Sequence, residues 1–133
     1  MVRFVVLVAS VLVSSCATAP TGRDGKALTV LDAGEAPAQP VEAFRLALRT
    51  RLKDPDSALV RIVGEPRAVV VNAVPMLTNG GAGWRICAEV NAKNSYGGYV
   101  GYKRIYLLWN GGRVLDYLDE EFGQAACRNA EAE

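Results

Sequence analysis

The tripeptide Asn110-Gly111-Gly112 sits between two apolar runs rich in β-branched and aromatic residues, Val100 to Trp109 and Arg113 to Tyr117. Asn and Gly tolerate the positive φ that a tight primed turn demands, so this junction dictates a hairpin and an antiparallel strand pair. A lone hairpin is not stable in water, so further strands or a helix must cover it. Trp84 to Ala92 supplies one strand. Trp84, Ile86, Ala88 and Val90 share one face, and Arg85, Cys87, Glu89 and Asn91 share the other. Upstream, Ala58 to Val63 closes at Gly64 and Pro66, and Arg67 to Val74 closes at Pro75. These read as two more strands, with Thr78 to Gly83 as a loop before the next.

Before the strands, Val41, Phe44, Leu48 and Leu52 recur at three- and four-residue intervals, which predicts a helix from Pro40 to Lys53. Pro40 suits its first position, and Asp54-Pro55-Asp56-Ser57 ends it, because the residue before a proline avoids helical geometry. Asp119 to Ala130 closes the chain as a short helix carrying Cys127. The expected fold class is α+β: an N-terminal helix packed on a four- to five-strand antiparallel meander, with a short C-terminal helix.

The N-terminus carries an address. Arg3 is followed by an apolar run of about ten residues, Phe4 to Val13, interrupted only by Ser10. That is about half the length needed to cross a bilayer. Val13-Ser14-Ser15-Cys16 then resembles the lipobox of bacterial lipoproteins, an aliphatic residue and two small ones before a cysteine. The resemblance implies diacylglycerol on Cys16, cleavage before it, and acylation of the new amino terminus with chains such as palmitate. Ala17 in the next position is compatible with outer-membrane sorting. The expected location is the bacterial cell envelope, lipid-anchored, on the outer membrane facing the periplasm. The alternative is an ordinary secretory signal cleaved after Ala17 or Ala19.

The expected organisation is a signal peptide over residues 1–15, a flexible tether over 16–40, and one globular domain over 41–133. The tether is inferred from the Ala-, Thr-, Gly- and Pro-rich composition of residues 17–40. The formal charge of the chain is +1, carried off with Arg3 when the signal is removed. A near-neutral exported chain lacks the basic surface of a nucleic-acid binder.

With Cys16 taken by lipid, Cys87 and Cys127 remain. In an oxidising compartment they read as one disulfide. The other readings are a free thiol pair or a metal site, and a chain without histidine offers few zinc ligands. The bridge would close a loop of roughly forty residues, worth about 4 kcal/mol on the chain-entropy account.

Residues Asn91 to Arg104 concentrate polar, aromatic and glycine residues. Tyr96, Tyr99 and Tyr102 recur every third position, Gly97, Gly98 and Gly101 lie between them, and Asn91, Lys93, Asn94 and Lys103 flank them. Tyrosines give contact area at low entropic cost, so this segment is the candidate binding surface. The structural alternative is a wide hairpin connection, with Asn side chains bonded to nearby backbone and tyrosines covering the sheet edge. Two stretches of this region resemble a loosely defined set of small exported bacterial proteins and lipoproteins. They are Leu52-Lys53-Asp54-Pro55-Asp56-Ser57-Ala58, and Cys87 followed by Val90-Asn91-Ala92-Lys93-Asn94-Ser95-Tyr96-Gly97-Gly98-Tyr99-Val100-Gly101-Tyr102. Where relatives carry Gly after the cysteine, this chain has Ala88. The resemblance implies a domain type and no reaction.

No histidine is present to serve as a neutral-pH base, which removes Ser-His and Cys-His nucleophile arrangements. Carboxylates for a glycan hydrolase exist at Glu89, Asp116, Asp119, Glu120 and Glu121. No metal or cofactor motif appears. The expectation is a non-enzymatic, membrane-anchored binding or accessory module for an envelope-protein or cell-wall partner. A protective inhibitor of lysozyme-like or phage entry proteins is the first alternative, and a small carboxylate-dependent wall hydrolase the second.

Overall fold

Helix α1 spans Pro40–Arg49. Its stripe of Ala43, Phe44, Ala47 and Leu48 is buried, as the helical repeat requires of an apolar face. The computed structural model describes residues 18–128. Cys16, the expected lipid-attachment residue, lies outside the described residues. Helix α1 ends before Lys53, with backbone N–H groups of Arg51 and Leu52 on the Leu48 carbonyl and side chains on that of Ala47. Thr50 Oγ1 donates to the Ala47 carbonyl at 3.1 Å, and the Arg51 guanidinium reaches the same oxygen at 3.4 Å.

Four strands follow: β1 (Leu59–Val71), β2 (Gly81–Lys93), β3 (Tyr99–Asn110) and β4 (Arg113–Leu118). They form one antiparallel meander in the order β1-β2-β3-β4. The Asn110-Gly111-Gly112 junction makes the β3–β4 turn. Strand alternation gives the sheet two buried faces. Ile86, Ala88, Val90, Ile105 and Leu107 pack with Phe44 and Leu48 of α1. Cys87, Tyr106 and Leu108 pack on the other face with Cys127. Helix α2 (Glu120–Ala126) delivers that cysteine, and Cys87 and Cys127 form a disulfide with their Cα atoms 5.9 Å apart. A helix of seven residues is not stable alone, so the bridge and the packing around it hold α2 in place.

The strand bounds differ from expectation at β1 and at the start of β2, which takes in Gly81 to Gly83 of the expected loop. The separate strands Ala58 to Val63 and Arg67 to Val74 are one bent strand, β1. The register steps from Val63 opposite Cys87 to Arg67 opposite Arg85, so the chain bulges at Gly64-Glu65-Pro66 rather than ending. Gly64 takes φ 66°, and Pro66 is tolerated because β1 is an edge strand with no further partner for its nitrogen. Residues 18–39 fall within the stretch expected as tether, 16–40. Pro20 to Leu28 folds into a small hairpin, with Leu28 N–H donating to the Pro20 carbonyl at 2.9 Å. A 3-10 turn follows at Val30–Ala33, and Ala33 is fully buried. Trp84 Nε1 donates to the Gly34 carbonyl at 3.0 Å, and Asn110 Nδ2 donates to the Asp32 carbonyl at 2.8 Å. The small-residue composition of a linker here belongs to a strap whose carbonyls are held by the sheet.

The meander has two ends. One, the strap end, carries the β1–β2 connection, the β3–β4 turn and the strap. The other carries the α1–β1 connection and the β2–β3 turn. Among the described residues, no helix is long and apolar enough to cross a membrane.

Candidate binding surface

The β2–β3 turn is organised by one side chain. Asn94 Oδ1 accepts from the backbone N–H of Tyr96 at 3.0 Å and of Gly98 at 3.1 Å. Asn94 N–H donates to the Gly98 carbonyl at 2.8 Å, and Gly97 N–H donates to the Asn94 carbonyl at 3.1 Å. Gly97 takes φ 84°, which a residue with a Cβ adopts only under strain. Asn91 Oδ1 accepts from Gly101 N–H at 3.0 Å where the β2–β3 register shifts. The asparagines therefore work as the structural reading expected, and they fix the turn from inside.

The three tyrosines differ in their surroundings: Tyr99 and Tyr102 are about half exposed and reach toward the edge strand β1, and Tyr96 does not pack on the sheet. Tyr96 is 98 % exposed at the tip. Tyr99 OH donates to the Ser57 carbonyl at 3.0 Å, and Lys53 Nζ donates to Ser95 Oγ at 3.1 Å. These bonds join the Lys53–Ser57 turn to the β2–β3 turn, 42 residues away in sequence. The Asp54–Ser57 turn, readable from sequence as a helix stop alone, is part of the surface. A groove of about 410 Å³ runs between the two stretches. Leu52 lines it, with Arg51, Lys53 and Lys93 alongside and Asp54 as the carboxylate of the set.

Cations hold the rings of Tyr117, Tyr102 and Tyr99: Arg51 lies 4.1 Å from the Tyr117 ring centroid, and the other two contacts are on the tyrosine surface. The Arg61 guanidinium lies 3.8 Å from the Tyr102 ring centroid, and Lys93 Nζ lies 5.4 Å from that of Tyr99. Such contacts at exposed sites contribute about 0.5–1 kcal/mol each. Arg61 also bonds Glu89 at 2.8 Å, and Arg104 bonds the other oxygen of Glu89 at 2.9 Å. The Arg104 hydrogen bond, seconded by the charge of Arg61, holds the Glu89 carboxyl below the usual carboxylate range. Arg61, Glu89 and Arg104 stand in register across β1, β2 and β3, which is why one carboxylate serves both cations. Nothing in the local sequence around Tyr102 announced Arg61; only the strand register reveals it.

Lys103, together with Tyr102, borders a different groove from the one beside the Asn94 turn. Its Nζ pairs with Glu120 of α2 at 2.8 Å, and that hydrogen bond raises the lysine pKa while lowering that of Glu120. Lys103 and Glu120 line a second polar groove, with Glu89 and Glu121, between α2 and the sheet. Here Glu89 and Glu120 are both held in the ionised form by cations. Asp116 is 5 % exposed and accepts the backbone N–H groups of Asn79 and Gly80 at 2.7 and 3.0 Å, a clamp on the β1–β2 connection. Among the described residues, no three His, Cys, Asp or Glu side chains converge as a metal site.

No family model, curated protein or solved structure matches this chain. The functional reading therefore rests on the geometry of the surface. A turn locked by Asn94 lifts one tyrosine fully into solvent. Tyr99 and Tyr102 follow it on β3 with Lys93 and Arg61 at their rings, and a groove lies between the turn and the Arg51–Asp54 stretch.

Proposed function

We propose that the chain is a lipid-anchored envelope protein, held by acyl chains on Cys16, whose folded unit binds a partner through the Tyr96, Tyr99 and Tyr102 surface. The proposed location is the outer membrane facing the periplasm, and the proposed partner is an envelope protein or a cell-wall component. The observation that carries this reading is the fully exposed Tyr96 on a pre-set turn. An exposed aromatic normally adds an ordering cost on binding, and a turn fixed by four hydrogen bonds has already met much of it. The groove beside it, flanked by Arg51, Lys53 and Lys93, favours a partner with anionic groups next to a flat or apolar face.

The test uses the soluble domain as bait in envelope extract and in co-sedimentation with purified peptidoglycan. Wild type is compared with Tyr96→Ala/Tyr99→Ala. The proposal expects a defined set of partners, or the peptidoglycan itself, to be lost with the double variant. Identical capture by both baits rules out the tyrosine surface. A protruding, internally braced turn is also the shape of an inhibitor that enters an enzyme cleft. Purified lysozyme is therefore included as a probe, and its inhibition by wild type but not by the variant favours that second reading.

A further inference from the structure

The end of the sheet opposite the tyrosine turn carries its own exposed apolar residues. Leu31 is 90 % exposed, Met76 fully so, and Val30 and Val74 about half. Met76 is held outward in a costly way. It takes φ 65°, a left-handed conformation that costs a non-glycine residue roughly 1 kcal/mol. The turn around it is knitted shut by Leu77 N–H and Thr78 N–H to the Val74 carbonyl, both at 3.0 Å. Leu31 sits on the 3-10 turn of the strap, which is tied to the same end of the sheet through Asn110 and Trp84.

The covalent path decides what meets this end. Thr18, the first described residue, shares a cavity wall with Gly80, Gly81, Asn110 and Arg113, all at the strap end. Cys16 precedes Thr18 by two residues, and two extended residues span at most about 7 Å. We infer that the strap end of the domain rests directly on the bilayer, with Leu31 and Met76 in the interfacial zone beside the acyl chains. The inference rests on the lipid attachment at Cys16 proposed above. The seating is apolar: Arg23, Lys26 and Arg113 around this end are matched by Asp24, Asp32 and Glu35, so it is no polybasic patch. Apolar side chains at such a surface enter the headgroup boundary to a depth of roughly 5–10 Å. Strand β2 runs thirteen residues from this end to the other, roughly 40 Å. The tyrosine turn is thereby held at that height and faces away from the membrane.

The experiment uses the full chain, processed in bacteria and reconstituted in vesicles of phosphatidylethanolamine and phosphatidylglycerol. Leu31→Cys, Met76→Cys and Tyr96→Cys each carry one environment-sensitive fluorophore; all three positions are exposed, so the fold tolerates the label. Intact mass first reports whether Cys16 is lipidated. An unmodified Cys16 overturns both the anchor and the seating. With lipid present, the labels at 31 and 76 are expected to be quenched several-fold more by bilayer nitroxide lipids than the label at 96. The aqueous quencher iodide gives the reverse order, and high salt leaves both unchanged. Equal quenching at all three positions overturns the seating alone. Labels at 31 and 76 shielded from iodide yet untouched by nitroxide lipids overturn it in favour of a protein covering.

Discussion

Gly123 on α2 offers a sign test of how this helix is seated. A Cβ added there would stand 2.5 Å from the Arg104 carbonyl oxygen, 2.5 Å from that of Leu118, and 3.2 Å from the Ile105 Cα. All three are backbone atoms of β3 and β4, which cannot turn aside as a flexible side chain does. Helix propensity pulls the other way, since Gly→Ala inside a helix gains about 0.5–1 kcal/mol. Overpacking a tight contact costs typically about 1–3 kcal/mol. The backbone clash is at the severe end, so Gly123→Ala should destabilise by about 1–2 kcal/mol net. That corresponds to a fall in Tm of about 4 °C or more in a domain of this size. Urea unfolding of the oxidised protein, followed by the fluorescence of Trp84 and Trp109, reads the loss. Gln124→Ala, on the exposed side of the same helix, is the control and should be near neutral. A neutral or stabilising Gly123→Ala would refute the close seating of α2. In a Cys87→Ala/Cys127→Ala background the helix is free to retreat, so the cost of Gly123→Ala should shrink.

The disulfide closes a sequence separation of 40, so the Cys87→Ala/Cys127→Ala protein should lose about 4 kcal/mol against the oxidised wild type. A loss below about 1 kcal/mol in the same urea assay would show that the packing around Cys127 suffices without the bridge. Of the five tyrosines, Tyr106 and Tyr117 are pushed up to about 12 by burial, with nearby carboxylates adding to it. The folded protein keeps these protons when the unfolded chain, with tyrosines near 10, would release them. Their contribution to stability is thus full below about pH 10 and lost as pH rises toward 12. Ultraviolet titration should show the two ionising only with the alkaline unfolding step, and a smooth titration of all five well before unfolding would contradict their burial.

The elements legible in the sequence are those with a local cause. The Asn110-Gly111-Gly112 turn is set by its own backbone needs, and the alternation from Trp84 to Ala92 correctly assigned Ile86 and Ala88 to one core and Cys87 to the other. The differences in strand bounds arise where tertiary packing overrides local chemistry. Gly64 and Pro66 are breakers by propensity, yet the pairing of β1 with β2 on both sides carries the strand through as a bulge. The glycines at 81 and 83 read as loop, yet they pair with Val71 and Val69 as part of β2, and at Gly83 a Cβ would stand 2.7 Å from the Trp109 carbonyl oxygen. The strap reads as linker because it has little apolar periodicity. Its attachment comes instead from Asn110 and Trp84, distant donors that capture its carbonyls.

The candidate surface was half visible for a topological reason. In a meander, successive connections fall at alternate ends of the sheet. The β1–β2 and β3–β4 connections share one end, and the α1–β1 and β2–β3 connections share the other. The Asp54–Ser57 turn and the Asn94–Gly98 turn must therefore meet, whatever their separation in sequence, and Lys53–Ser95 and Ser57–Tyr99 are the contacts that result. The same parity places Thr18 and the strap at the opposite end, because the strap is tied to the start of β2 and the end of β3. A chain with one strand more or one fewer between the strap contacts and the tyrosine turn would put both on the same side. The single strand β2 between the strap contacts and the tyrosine turn thus sets the strap and Tyr96 at opposite ends of the sheet.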